Sequence, residues 1–321
     1  MGDRRYQTVW GEIGEEQLGF TQPHEHVYIT NTIDQGRCKE ICINNLPASV
    51  REFSMFQQAG GNTVVDANPF ATGRDVLALK EISRLAKINI IATTGYHIFK
   101  FYPEDHWIWE KSSEQMRDLF VEELTEGMYL DGYYAEPEVR TDIKAGLIKA
   151  AVMSDGLSNP QVKKLLTAAG MAARETGSSI MVHTEAVDVL EAIDLLAGKI
   201  GVPTDSILIC HVDRQVEDLK IHEAVAKTGV FMEYDTITLL EFHNNASEIR
   251  MLQHMKEQGF MDQILLSSDP TTDRMKSYYG YIGVDYLLKD FIPLLELCGF
   301  TEDDISRMMR KNPARALCFG N

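Results

Sequence analysis

No part of this 321-residue chain carries the run of apolar residues that a membrane-crossing helix needs, about 18 or more in succession. The opening MGDRRYQTVWGEIGEE also lacks the apolar centre of a secretory leader. Basic side chains are scarce: 31 Lys and Arg stand against 48 Asp and Glu, for a formal charge of −17. That balance excludes nucleic acid and anionic membrane surfaces as partners, since both need a basic footprint. It leaves room for a small anionic substrate held by a local basic patch. Cysteine is sparse, with Cys38, Cys42, Cys210, Cys298 and Cys318 odd in number and scattered. The pattern excludes a disulfide framework and predicts free thiols in a reducing cytoplasm. Cys38 and Cys42 also lack the second pair of ligands that would make them a metal site. Solenoid repeats, low-complexity tracts and an inter-domain linker are all missing, as is a Gly-rich phosphate fingerprint after the first strand.

What is present is a regular alternation. Short apolar strands are expected around His24–Ile29, Thr63–Asp66, Asn89–Thr94, Ala145–Met153, Ser179–His183, Ile207–His211, Val230–Tyr234 and Ile264–Ser268. Helical patterns lie between most of them, such as the one opened by Gly73-Arg74-Asp75 and Pro160–Thr176 with Gly177 as its stop. Ser112 and Gln115 form a capping box for another. Apolar strands joined by helical crossovers imply a parallel sheet, and eight such units predict a closed (β/α)8 TIM barrel, an α/β fold. The reading is one domain over 1–321, in which 1–18 form a β-hairpin cover with its turn near Gly11–Gly14. The barrel occupies 19–300, and a C-terminal helix and tail 301–321. Residues 129–140 read as an insertion, and the aromatic loop 99–109 as a lid or a homodimer contact.

Barrel chemistry sits at the C-terminal strand ends. In GFTQPHEH the spacing of His24 and His26 places both imidazoles on one side of a strand. His183, His211 and Asp269 end later strands, so four of the nine histidines and an aspartate fall on one rim. Neutral imidazole is the commonest transition-metal ligand, and five ligands from several strands suit two cations a few ångströms apart. A bridging ligand is then wanted, and strand four offers Lys149. An ammonium beside two cations is disfavoured, whereas a neutral lysine amine can add carbon dioxide to become an anionic carbamate. Spacing alone does not separate that reading from a lysine snorkelling out of the strand end. The other histidines (His97, His106, His222, His243 and His254) read as structural.

Taken together, GFTQPHEH (19–26), VVDANPFATGRD (64–75), ATTGY (92–96), AGLIKA (145–150), VHTEA (182–186), ICHVD (209–213), MEYDTI (232–237), LLSSD (265–269) and KNPARAL (311–317) resemble the phosphotriesterase family of the amidohydrolase superfamily. That group includes phosphotriesterase-like lactonases and phosphotriesterase homology proteins. The resemblance implies a binuclear metallohydrolase. His24, His26 and Asp269 would hold the more buried metal, and His183 and His211 the more exposed one. Lys149, carboxylated to N6-carboxylysine, would bridge both. Tyr96 matches a tyrosine near the reacting water in lactonase members.

The expected activity is lactone hydrolysis, with two divalent ions: zinc first, with manganese, cobalt or iron(II) sharing the ligand preference. Asp269 is the expected proton carrier between water and leaving alkoxide. The same centre would serve a phosphotriester or an N-acyl amide, and a catalytically silent ligand-binding barrel is the alternative from another class. In PTTDRMKSYYGYIG, Arg274, Lys276 and Tyr278 form a candidate anion cradle for a small polar, phosphorylated sugar-type lactone.

Overall fold

Residue alternation in eight short parallel strands builds the molecule. The computed structural model describes residues 4–30, 41–97, 99–130, 132–185 and 187–319; Cys38 and most of the segment 31–45 lie outside them. An antiparallel hairpin of β1 (Arg5–Thr8) and β2 (Gly11–Gly14) comes first. The parallel strands are β3 (Thr21–Glu25), β4 (Thr63–Asp66), β5 (Asn89–Gly95), β6 (Leu147–Val152), β7 (Ile180–Thr184), β8 (Ile207–Ile209), β9 (Phe231–Tyr234) and β10 (Ile264–Leu266). Each pairs with its sequence neighbour, from β3 round to β10.

Nearly every strand residue is buried because both faces are covered. Val65, Ile91, Leu147, Met181, Leu208, Phe231 and Leu265 point inward and fill the barrel. Their neighbours, among them Val64, Ile90, Ile148, Ile180, Ile209 and Leu266, point outward into the helix layer. This is the TIM-barrel fold expected from the strand count. The ring closes between β10 and β3 through side chains as well as backbone. Ser267 Oγ accepts the His24 amide at 2.8 Å, His24 O accepts the Asp269 amide at 3.2 Å, and the Glu25 carboxylate accepts both the amide (3.0 Å) and the hydroxyl (2.7 Å) of Ser268.

The hairpin seals the N-terminal end of the barrel, where the Val9 amide donates to Ile90 O (2.9 Å) and the Tyr6 hydroxyl donates to Ala314 O (2.8 Å). Its turn falls at Val9-Trp10, and Gly11–Gly14 form the returning strand, so the turn comes earlier than the glycines suggest. Helix starts follow the sequence signals: Asp75 Oδ1 caps the amides of Leu77 and Ala78 (both 3.0 Å), and the Ser112/Gln115 capping box is formed. Inside the helix layer a bidentate pair between Arg74 and Glu123 (2.8 and 2.6 Å), fully buried, ties the β4 crossover to helix Ser113–Thr125. No helix among the described residues is long and apolar enough to cross a membrane.

Gly95 ends β5 with φ +94, directly against β6, where an added Cβ would overlap the Lys149 carbonyl. Gly95→Ala is therefore expected to destabilise the fold by about 2–4 kcal/mol, through backbone strain and a split between β5 and β6. Denaturant unfolding checks this, with Gly259→Ala as reference: φ there is +81, but the added Cβ meets nothing within 4 Å.

Candidate metal centre

The inward parity of the strands, carried past their ends, assembles the site. Gln22 and His24 alternate inward on β3, as do Leu147 and Lys149 on β6, and Met181 and His183 on β7. The same register runs from Leu265 inside the barrel through Ser267 to Asp269 at the rim. Residues His24, His26, His183, His211 and Asp269 line one cavity of about 670 Å³ at the C-terminal mouth, and Lys149 lies fully buried beneath it.

Donor atoms converge there. His211 Nε2 and His183 Nδ1 face each other at 2.9 Å, His26 Nε2 is 3.1 Å from Asp269 Oδ1, and Lys149 Nζ is 3.3 Å from His24 Nε2. Donor atoms of His24, His211 and Asp269 all lie within 4.8 Å of one another. A single proton or a cation can join each of these pairs, and His26 Nδ1 and His183 Nε2 are buried there without a hydrogen-bond partner. The residues thus fit a divalent metal centre of nitrogen and oxygen ligands.

Two carboxylates that the sequence left without a role set the imidazole orientations. Glu233 Oε2 (2.7 Å) and Asp235 Oδ2 (3.0 Å) both take His24 Nδ1. Asp235 Oδ1 takes His211 Nδ1 at 2.7 Å. With Nδ1 engaged, each ring must present Nε2 to the cavity, as oriented metal ligands do. Burial and the nearby Lys149 depress His24, but the Asp235 and Glu233 carboxylates outweigh them and hold His24 well above the usual imidazole range. His183 is pushed well below that range by burial and by its neighbours His211 and His97, so it is neutral. Burial would raise Asp269, yet the His26 hydrogen bond and the His24 and His211 rings hold it well below the usual carboxylate range. Cys210, near Lys149 Nζ, is pushed up to about 12 by burial and stays a thiol.

Not every residue singled out by the sequence reaches this cavity. Tyr96 points outward, packed on Phe120 and Phe70 with ring centroids 5.1 and 6.1 Å away, because it is out of register with inward Ile91. His97, in register, lines the cavity with its ring 5.2 Å from that of His183. Arg274 is buried, with Nη1 on Ser268 O (2.8 Å) and Nη2 on Asp269 O. Lys276 pairs with the buried Asp285 at 2.7 Å, and the Tyr278 hydroxyl bonds Asn45 and Ser49. The structure thus brings none of Arg274, Lys276 and Tyr278 into the cavity lining. Among the described residues, the Lys and Arg side chains that do line it are Lys100 and Arg214.

A barrel with such a donor set on its C-terminal rim belongs to the metal-dependent hydrolases. The model of the phosphotriesterase family matches residues 4–317, and the chain is a member of that family. It is 29% identical to a phospho-furanose lactonase of Mycoplasmopsis synoviae (strain 53), over 99% of this chain and 93% of that protein. The solved structure of a lactonase from Listeria monocytogenes superposes with a TM-score of 0.89 at 29% identity, over 99% of this chain and 100% of the other. That of the phosphotriesterase homology protein from Escherichia coli, complexed with phosphate in the active site, gives 0.83 at 27% identity, over 94% and 99%.

Two outcomes follow from the geometry. Asp235→Asn is expected to weaken metal binding about 10–100-fold, measured by competition with a chromogenic chelator; unchanged affinity would mean the carboxylate does not orient the rings. Arg274→Ala is expected to lower kcat equally on anionic and neutral substrates, because its guanidinium holds the backbone of Asp269. Steady-state kinetics on a matched substrate pair checks it.

Proposed function

We propose that this enzyme is a binuclear lactonase that opens small polar lactones bearing an anionic group. The observation that carries the reading is the convergence of His24, His26, His183, His211, Asp269 and Lys149 on one cavity whose walls also present Lys100 and Arg214. His24, His26 and Asp269 would hold one cation, His183 and His211 the other, and Lys149, as a carbamate, would join them. Zinc fits this donor set, and manganese, cobalt and iron(II) share its ligand preference. When bound, the pair lowers the pKa of coordinated water toward neutrality and polarises the ester carbonyl.

The chain's own residues do the rest. Asp269 is ionised at neutral pH, so it accepts a proton from the attacking water and returns it to the leaving alkoxide. Arg214, with Nη2 3.4 Å from Asp269 Oδ2, anchors the outer carboxylate oxygen while its guanidinium lies over the Phe242 ring at 4.4 Å. Lys100 lines the cavity and is exposed, where its ammonium would attract a phosphate or carboxylate on the substrate. Among the described residues the apolar wall consists of Ile41, Phe101, Leu239 and Phe242, interspersed with Glu185, Glu241 and Asp273. Such a mixed lining suits a compact polar substrate better than a long acyl chain. The lactonase names of two relatives and the phosphate in a third protein's active site support the same reading.

A rate panel on metal-loaded protein tests it: an anionic five-membered sugar lactone, its neutral analogue, an acyl-homoserine lactone, a phosphotriester and an N-acyl amide. The anionic lactone should give the highest kcat/KM. Lys100→Ala should lower that value roughly tenfold, with little change on the neutral analogue. Faster turnover of the phosphotriester or the amide, or none of any ester, would overturn the assignment.

A further inference from the structure

A second cluster of ionisable side chains lies outside the barrel mouth and shares no residue with it. Asp213 follows β8, Thr236 follows β9, His243 stands on the loop beyond, and Glu248 lies in the first turn of helix Asn245–Glu257. All four are buried, Asp213 and Glu248 completely. His243 Nε2 is 3.1 Å from Thr236 Oγ1, 3.2 Å from Glu248 Oε2 and 3.4 Å from Asp213 Oδ2. Donor atoms of Asp213, His243 and Glu248 fall within 4.8 Å of one another.

Hydrogen bonding alone does not satisfy this arrangement. One imidazole nitrogen carries at most one proton, and three oxygens surround it. Both Glu248 oxygens, and Asp213 Oδ1, are buried without a hydrogen-bond partner. The ion pairs of these two carboxylates among the described residues are those with His243, and no Lys or Arg reaches them. Two buried carboxylates sharing one imidazole are strongly unfavourable unless a cation or a proton joins them. The spacings accommodate a cation: ligands at about 2.0–2.2 Å around a tetrahedral zinc stand about 3.3–3.6 Å apart, and the oxygens lie 3.1–3.4 Å from His243 Nε2 with the Asp213, His243 and Glu248 donor atoms all within 4.8 Å of one another.

We propose that Asp213, His243 and Glu248, with the Thr236 hydroxyl as fourth ligand, bind a further divalent cation of the zinc class. An entry path exists, since His243 also lines a surface cleft with Arg214, Gln215 and Phe242. The ion would brace the loop after β8, which carries Arg214, against the loop after β9, which carries Phe242. Because Arg214 reaches Asp269, the site would stiffen the catalytic rim without touching substrate. The competing arrangement is a Glu248 carboxyl kept protonated by burial and by the nearby Asp213.

The experiment strips the protein with a chelator, reloads it with excess zinc chloride, desalts it and counts metal per chain by mass spectrometry. Wild type is compared with Glu248→Gln and His243→Gln. Each variant should hold one zinc fewer than wild type, whatever number the barrel mouth retains. Equal counts in wild type and folded variants would overturn the proposal. If the variants do not fold, anomalous diffraction from zinc-soaked wild-type crystals decides. A peak bonded to His243 Nε2 and Glu248 supports the site, and peaks confined to the barrel mouth refute it.

Discussion

The carboxylate of Asp235 is the constraint on which the centre depends. It reaches His24 with one oxygen and His211 with the other, and it also accepts the His211 amide at 3.2 Å. Two imidazoles from β3 and from the loop after β8 are thereby fixed in one orientation, with ring centroids 4.9 Å apart. Burying a carboxylate is costly in isolation. Here the histidines and their hydrogen bonds more than offset the burial and hold Asp235 well below the usual carboxylate range. Its ionisation and the tautomers of its partners are thus one property. A barrel with apolar residues at these positions would lose the direction of its ligands.

Backbone strain marks the same rim at two of its ligands. His211 (φ +60) and Asp269 (φ +42) both adopt the left-handed conformation that side chains other than glycine disfavour. Each departs from its strand at the point where it must aim into the cavity. The surrounding bonds hold them there: Asp235 takes the His211 amide, His24 O takes the Asp269 amide, and Arg274 grips the carbonyls of Ser268 and Asp269. Strain of this kind persists only where neighbouring groups over-determine the geometry. Arg274 is therefore best understood as part of the support for Asp269, a role that loop composition alone does not suggest.

Much of this was legible in the sequence. Eight apolar strands separated by helical patterns led to the barrel, and the histidines at strand ends led to the rim. Tyr96 was misplaced for a physical reason: the chain leaves β5 through Gly95, and two-residue alternation from inward Ile91 selects His97 and turns Tyr96 into the helix layer. The same alternation from inward Phe231 selects Glu233 and Asp235, whose part in orienting His24 and His211 no local spacing in MEYDTI announces. Arg274, Lys276 and Tyr278 were illegible in another way. Their partners, Asp269 O, Asp285 and Ser49, are set by tertiary packing, and no local spacing announces whether a loop cation faces solvent, substrate or its own backbone. His243 looked structural because one of its two acidic neighbours, Asp213, is brought to it from a distant stretch of chain by the fold.

The account rests on Lys149 standing at the heart of one centre. The most direct measurement is carbon-13 NMR of metal-loaded protein equilibrated with labelled bicarbonate. The account predicts a carbamate resonance in wild type that is absent from Lys149→Met and lost when metal is removed. A loaded, active enzyme without that resonance would contradict it.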